Sequence, residues 1–114
     1  TATRWFPESF RNAHHDKMDR IREMILRTSL DGYHGCIQAL LSVDFANRLP
    51  ELAMPALFVS GALDVIGGPT GVMQQMAQTV QNGQHLELPD TGHICNIANP
   101  AAYDHALLSF FESL

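Results

Sequence analysis

Pro55-Ala56-Leu57-Phe58-Val59-Ser60-Gly61-Ala62-Leu63-Asp64 is the stretch on which the fold turns. Ala56 to Ser60 form a short apolar run that Gly61 closes, which suits a strand covered on both faces in a parallel sheet. An acidic residue follows at once. A second stretch repeats the pattern: Gln84-His85-Leu86-Glu87-Leu88 alternates as a strand, stops at Pro89, and leads through Asp90-Thr91-Gly92 to His93.

Between the two runs, Thr70 stands where it can cap a helix with apolar positions Val72, Met73, Met76, Ala77 and Val80, and Gly83 suits its C′ position. After the second run, Asn99 caps and Pro100 opens a helix with Tyr103, Ala106, Leu107, Phe110 and Leu114 on one face. The order from residue 54 to 114 is therefore β-α-β-α. Two strands joined through one helix lie parallel, so their C-terminal ends point the same way. Asp64 and His93 are thereby expected at one edge of the sheet, where open α/β folds place ligands and catalytic groups. An Asp there can hold one imidazole nitrogen and leave the other to take a proton from a nucleophile.

Upstream of Met54 the pattern is helical. Met18, Ile21, Met24, Ile25 and Thr28 recur at spacings of three and four, as do Tyr33, Cys36, Ile37, Leu40 and Leu41. Two amphipathic helices are expected, with Asp16 and Asp31 as N-caps and Leu30-Asp31-Gly32 as the break between them. Arg48 to Pro55 reads as a connector. Residues 1–53 thus form a helical segment and residues 54–114 an α/β segment.

Composition narrows the function. The chain has 114 residues, 46% of them hydrophobic and 17% charged, in the range of globular proteins and far from the charge-rich profile of disorder. A domain of this length can bury about two thirds of its unfolded surface. No run approaches a membrane span or a signal-peptide core, so a cytoplasmic protein is expected. The net charge of −5 argues against nucleic acid or an anionic membrane as partner, while leaving room for a small anionic substrate held by an Arg. Cys36 and Cys95 lack metal-type spacing and read as reduced thiols. His14 and His15 beside Asp16 point to different faces and have no third ligand at sensible spacing, so no metal site is expected. His34, His85 and His105 fall in amphipathic elements as surface or boundary residues, and Met18, Met24, Met73 and Met76 as helix-packing residues.

With these motifs the chain resembles the C-terminal part of an α/β-hydrolase. The superfamily pattern lies in Pro55 to Asp64, Gly92-His93 and Asn99-Pro100. A narrower likeness to 3-oxoadipate enol-lactonases lies in Thr3-Arg4-Trp5-Phe6, Asp31-Gly32-Tyr33, Gly35-Cys36, Ala39-Leu40 and Asp44. The resemblance implies a partial α/β-hydrolase fold in which a helical cap segment precedes two parallel strands. It implies Asp64 as triad acid, His93 as general base, and Arg4 and Trp5 as cap residues over the substrate. The implied reaction is hydrolysis of a small carboxylated lactone or ester, with neither metal nor organic cofactor. An Arg beside a Trp suits that substrate, the guanidinium pairing with a carboxylate and the indole covering a ring. Trp5 can equally be a core anchor, and Arg4 a surface residue.

Two departures from the family pattern stand out. Pro69 follows the acid by five residues instead of the usual four, after Gly67-Gly68. No Gly-x-Ser-x-Gly elbow is present: Ser9, Ser29, Ser42 and Ser109 lack flanking glycines, and Ser60 has one on one side only. An acid and a base without nucleophile or oxyanion donors are expected to be inactive alone. Two strands also leave open edges and bare apolar faces, so the chain is expected either to join the N-terminal half of a hydrolase or to form a homo-oligomer. The alternative is a non-catalytic remnant or interaction module that keeps the pattern without the activity.

Overall fold

The computed structural model describes residues 1–114 as helices α1 (Ala2–Trp5), α2 (Glu8–Ala13), α3 (His15–Arg27) and α4 (Leu30–Ser42), followed by a 3-10 turn at Ala46–Glu51. Strand β1 (Ala56–Gly61), helix α5 (Thr70–Thr79), strand β2 (Gly83–Leu88) and helices α6 (Cys95–Ala98) and α7 (Pro100–Glu112) complete the chain. β1 and β2 pair in parallel, in register from Ala56 opposite Gly83 to Gly61 opposite Leu88. This is the expected β-α-β-α order with two parallel strands. No helix is long and apolar enough to cross a membrane.

Helix boundaries differ from the sequence expectation where two capping signals compete. His14 and not Asp16 occupies the N-cap of α3, and Asp16 lies in the first turn, where its charge suits the positive end of the helix. Ser29 and not Asp31 caps α4: its Oγ accepts the Gly32 N–H. The break between α3 and α4 consequently falls at Thr28-Ser29, and Leu30-Asp31-Gly32 is the first turn of α4. Thr70 is the first residue of α5, behind Pro69, and its side chain caps nothing. Gly83 opens β2 instead of closing α5, which ends at Thr79. The need for glycine there is steric, since a β-carbon would lie 2.1 Å from the Ala77 carbonyl oxygen. At α7 the expected cap is present, with Asn99 Oδ1 accepting the Ala102 N–H and Pro100 in the first turn.

Two packing centres result. Phe6, Phe10, Met18 and Ile21 form a buried cluster, with the Phe6 and Phe10 rings stacked at 4.9 Å. Trp5, Ile25, Ile94, Ile97 and Ala98 pack against it, so the first two helices and α3 share a core with the segment that follows β2. The second centre is the sheet. Side chains alternate across a strand, so Phe58, Ser60, His85 and Glu87 share one face and Leu57, Val59, Gln84 and Leu86 the other. Thr70 at the start of α5 bonds to the first face, while Leu57 and Leu86 line a cleft with Ala106 and Phe110 of α7.

Coverage of the sheet is less complete than expected for a buried parallel strand. Leu57, Phe58 and Val59 are only half-buried, because one helix on one face and one beside β2 cannot close both sides of β1. Helix α4 has no buried residue at all, and Leu30, Leu40 and Leu41 are exposed.

Candidate active site

The loops after β1 and β2 interlock through their backbones. Ala62 N–H donates to Leu88 O at 2.9 Å, Leu63 N–H to Thr91 O at 2.8 Å, and Asp64 N–H to Gly61 O at 3.0 Å. Gly61 permits this approach, since a β-carbon there would lie 2.3 Å from the Gly92 carbonyl oxygen. On the β2 side the turn passes through Asp90 at φ 56°, a left-handed conformation that Asp tolerates better than most residues. Thr91 Oγ1 donates to Leu88 O and pins the turn.

These loops place Asp64 and His93 in contact. His93 Nδ1 lies 2.9 Å from Asp64 Oδ2. The Asp64 carboxylate also receives backbone N–H groups from Ile66 at 2.9 Å and Gly67 at 3.3 Å on Oδ1, and from Gly68 at 2.9 Å on Oδ2. Its side chain is 4% exposed, that of His93 34%. Burial alone would push the Asp64 carboxyl up. The donors from Ile66, His93, Gly67 and Gly68 outweigh it and hold the group below its ordinary value. Asp64 is therefore an anion that accepts, so Nδ1 of His93 donates to it, and Nε2 is the nitrogen left to offer a lone pair. That is the electronic arrangement of a general base.

Gly67 and Gly68, which depart from the family spacing, are part of this construction. A β-carbon at Gly67 would lie 2.1 Å from His93 Cε1, and one at Gly68 3.2 Å from Met73 Sδ. The glycines let the loop wrap the carboxylate on one side and touch the imidazole on the other. Their adjacency in the sequence is the signal for this role.

Arg4 and Trp5 are the last two residues of α1 and line different cavities. Arg4 is exposed and lines a groove of about 340 Å³ with Phe6, Leu63, Val65 and Ile66, beside the loop that carries Asp64. Trp5 packs on the phenylalanine cluster and lines a separate apolar cavity of about 390 Å³ with Met24, Ile25, Leu30 and Tyr33. Its carbonyl accepts the Ile94 N–H at 3.4 Å. The structure thus brings both residues beside the two loops, on different cavities.

Other candidates are accounted for. Ser60 is buried and its Oγ bonds to Thr70 and His85, so it is not presented as a nucleophile. Cys36 and Cys95 are free thiols. Burial pushes the Cys95 thiol up, and the nearby Asp64 charge adds to this, which disfavours the nucleophilic thiolate. No three His, Cys, Asp or Glu side chains group as a metal site would require.

No protein-family model matches the chain. Among curated proteins, 3-oxoadipate enol-lactonase 2 of Acinetobacter baylyi is 28% identical over 115 residues, covering 93% of this chain and 39% of the relative. Among solved structures, the enol-lactonase of Burkholderia xenovorans superposes with a TM-score of 0.90 at 26% identity, over 96% of this chain and 41% of that one. A thermophilic esterase of Thermogutta terrifontis, with malate bound, superposes with a TM-score of 0.92 at 27% identity, over 99% and 42% of the two chains. The chain therefore spans about two fifths of the length of these relatives.

Proposed function

We propose that this chain, which has the α/β-hydrolase fold and counts 3-oxoadipate enol-lactonases among its relatives, supplies the acid and the base of a serine-type hydrolase acting on a small carboxylated lactone. The observation that carries the reading is the 2.9 Å contact between His93 Nδ1 and Asp64 Oδ2 at the C-terminal edge of two parallel strands. In that role His93 Nε2 takes the proton of a serine hydroxyl as its oxygen attacks the lactone carbonyl. The imidazolium, steadied by Asp64, then returns the proton to the leaving enolate oxygen. Hydrolysis of the acyl-enzyme repeats the steps with water in place of serine.

Arg4 is the proposed partner of the substrate carboxylate, since it borders the groove beside the Asp64 loop. Trp5 is the proposed apolar cover. The malate-bound esterase is consistent with a small carboxylated ligand. No metal or organic cofactor enters the scheme.

The nucleophile and the oxyanion donors lie outside these residues, because no Gly-x-Ser-x-Gly occurs in the sequence. Their proposed source is the N-terminal part of a hydrolase, which would also cover the bare edge of β1; a homo-oligomer is the other way to cover it. The test is lactone hydrolysis and labelling by a serine-directed phosphonate, on this chain alone and mixed with an N-terminal hydrolase segment bearing the elbow. Inactivity alone, with turnover in the mixture that His93→Ala abolishes, is the expected result. An inactive mixture despite complex formation would favour the non-catalytic interaction module.

A further inference from the structure

On the sheet face opposite Leu57 and Leu86, four polar side chains join β1, β2 and α5. Ser60 Oγ, on a residue 2% exposed, lies 2.9 Å from His85 Nε2 and 3.1 Å from Thr70 Oγ1. Thr70 Oγ1 in turn donates to Glu87 Oε2. The proton count assigns every direction. An ionised carboxylate only accepts, so the Thr70 proton goes to Glu87 and its oxygen is free to accept from Ser60. Ser60 has then spent its single proton and must accept from His85. The chain runs His85 Nε2–H to Ser60, Ser60 O–H to Thr70, and Thr70 O–H to Glu87.

Its placement is specific. Ser60 is the residue before Gly61, where the loop bearing Asp64 begins, and Thr70 is the residue after Pro69, where that loop ends. His85 and Glu87 belong to β2, the strand that leads into the His93 loop. One bond, Ser60 to Thr70, closes the neck of the acid loop, and the other two tie that neck to the strand that carries the base.

We infer that His85, Ser60, Thr70 and Glu87 form a directional hydrogen-bond chain that positions Asp64 against His93. They are positioning residues, since none hydrogen-bonds to the side chain of Asp64 or His93. The inference rests on the reading of that pair as acid and base. It requires three things: His85 in its Nε2–H form, a hydroxyl at position 70, and an acceptor at position 87. A network satisfied throughout in this way holds its members more firmly than isolated bonds do.

Nitrogen and proton NMR of this chain, labelled at histidine, tests it. In the unaltered chain the expected signals are a protonated Nε2 on His85 and a slowly exchanging Nδ1 proton on His93. Thr70→Val keeps the shape and removes the donor. It should speed exchange of the His93 Nδ1 proton about tenfold, the effect of one hydrogen bond, with circular dichroism unchanged. Thr70→Ser should restore slow exchange. Should Thr70→Val disrupt folding, the exposed Glu87 gives a second pair: Glu87→Ala should act as Thr70→Val does, and Glu87→Gln, which still accepts, should not. A His93 signal that is present yet changes by less than about twofold in Thr70→Val or Glu87→Ala would overturn the inference, as would His85 in the Nδ1–H form. A His93 signal absent from the unaltered chain would instead overturn the acid–base reading beneath it.

Discussion

Gly67 lies directly against the imidazole of His93, close enough that a β-carbon at this position would stand 2.1 Å from Cε1, while the Gly67 N–H reaches Asp64 Oδ1 at 3.3 Å. One residue thus supports the acid and bounds the base. Gly67→Ala must push the ring aside or move the loop, and either lengthens the contact between Nδ1 and Oδ2. Overpacking of this kind typically costs about 1–3 kcal/mol of stability. In a complemented enzyme, kcat/KM is expected to fall by roughly a hundredfold, as for a displacement of about 1 Å in a catalytic group. Urea titration of the variant chain checks the first figure and lactone kinetics the second.

Asp64→Asn keeps the shape of the side chain and removes its charge. Two backbone N–H groups, of Ile66 and Gly67, point at Oδ1, against one, of Gly68, at Oδ2 beside His93, and the pair would hold the amide oxygen at the Oδ1 position. The amide nitrogen would then face His93 and favour the tautomer in which Nδ1 accepts, leaving the Nε2 proton where the lone pair should be. A loss on the order of 10⁴-fold in kcat is expected in the complemented enzyme, the size seen when a triad acid loses its charge. Activity within about tenfold of the unaltered protein would show that Asp64 does not set the tautomer.

Stability should respond to acid through the same carboxylate. The folded state holds Asp64 below its ordinary value of 3.8, so the unfolded chain binds a proton at a higher pH than the folded one. The contribution of Asp64 is therefore fully present above the unfolded value and is lost as the pH falls through the folded one. In urea titrations from pH 7 to pH 3, the unfolding free energy is expected to decline steeply only near and below pH 4. Asp64→Asn should flatten part of that decline. An identical acid slope in the variant would remove Asp64 as its source.

The uncovered faces predict association. Leu26, Leu30, Leu40, Leu41 and Val65 are all largely exposed, and a sheet of two strands leaves one edge of each strand unpaired. Such an arrangement invites pairing with another chain. At micromolar concentration, light scattering of the chain alone should give a mass above 12.6 kDa, and Leu40→Glu with Leu41→Glu should lower it. A monomeric mass at that concentration would count against self-association.

The parts of the fold that were legible in the sequence are those where apolar runs and punctuation residues agree. Ala56 to Ser60 and Gln84 to Leu88 are short, apolar or alternating, and bounded by Pro or Gly, and they lie in strands, each of which extends one residue further to include the bounding glycine, Gly61 or Gly83. Asp64 and His93 follow directly, so topology alone brought them together. What was not legible depends on the path of the chain in three dimensions. Ser29 and Asp31 are both capping residues, and only the side chain that reaches the Gly32 N–H can cap. Gly83 was ambiguous because a glycine after a helix can end it or can admit a close carbonyl, here that of Ala77. The four-residue helix α6 is too short to show a period. The alternation of β2 put His85 and Glu87 on one face, yet their link to Ser60 depends on where α5 begins.

The start of α7 offers a prediction with a clean control. Asn99 Oδ1 accepts the Ala102 N–H at 3.1 Å and satisfies one of the amides that a helix leaves without a partner. Asn99→Ala removes that acceptor at a half-buried position and is expected to cost about 1 kcal/mol, while Asn99→Asp or Asn99→Ser, which also cap, should cost much less. The effect bears on the site through a short path: α6 links His93 to α7, and Ile94 and Ile97 pack on the phenylalanine cluster. Fraying of α7 should therefore lower the unfolding free energy while leaving the His93 to Asp64 contact intact, because that contact depends on the β1 and β2 loops. Urea titration paired with the His93 Nδ1 proton signal separates the two effects. If Asn99→Ala also weakens that signal, the base is positioned in part from the C-terminal helix.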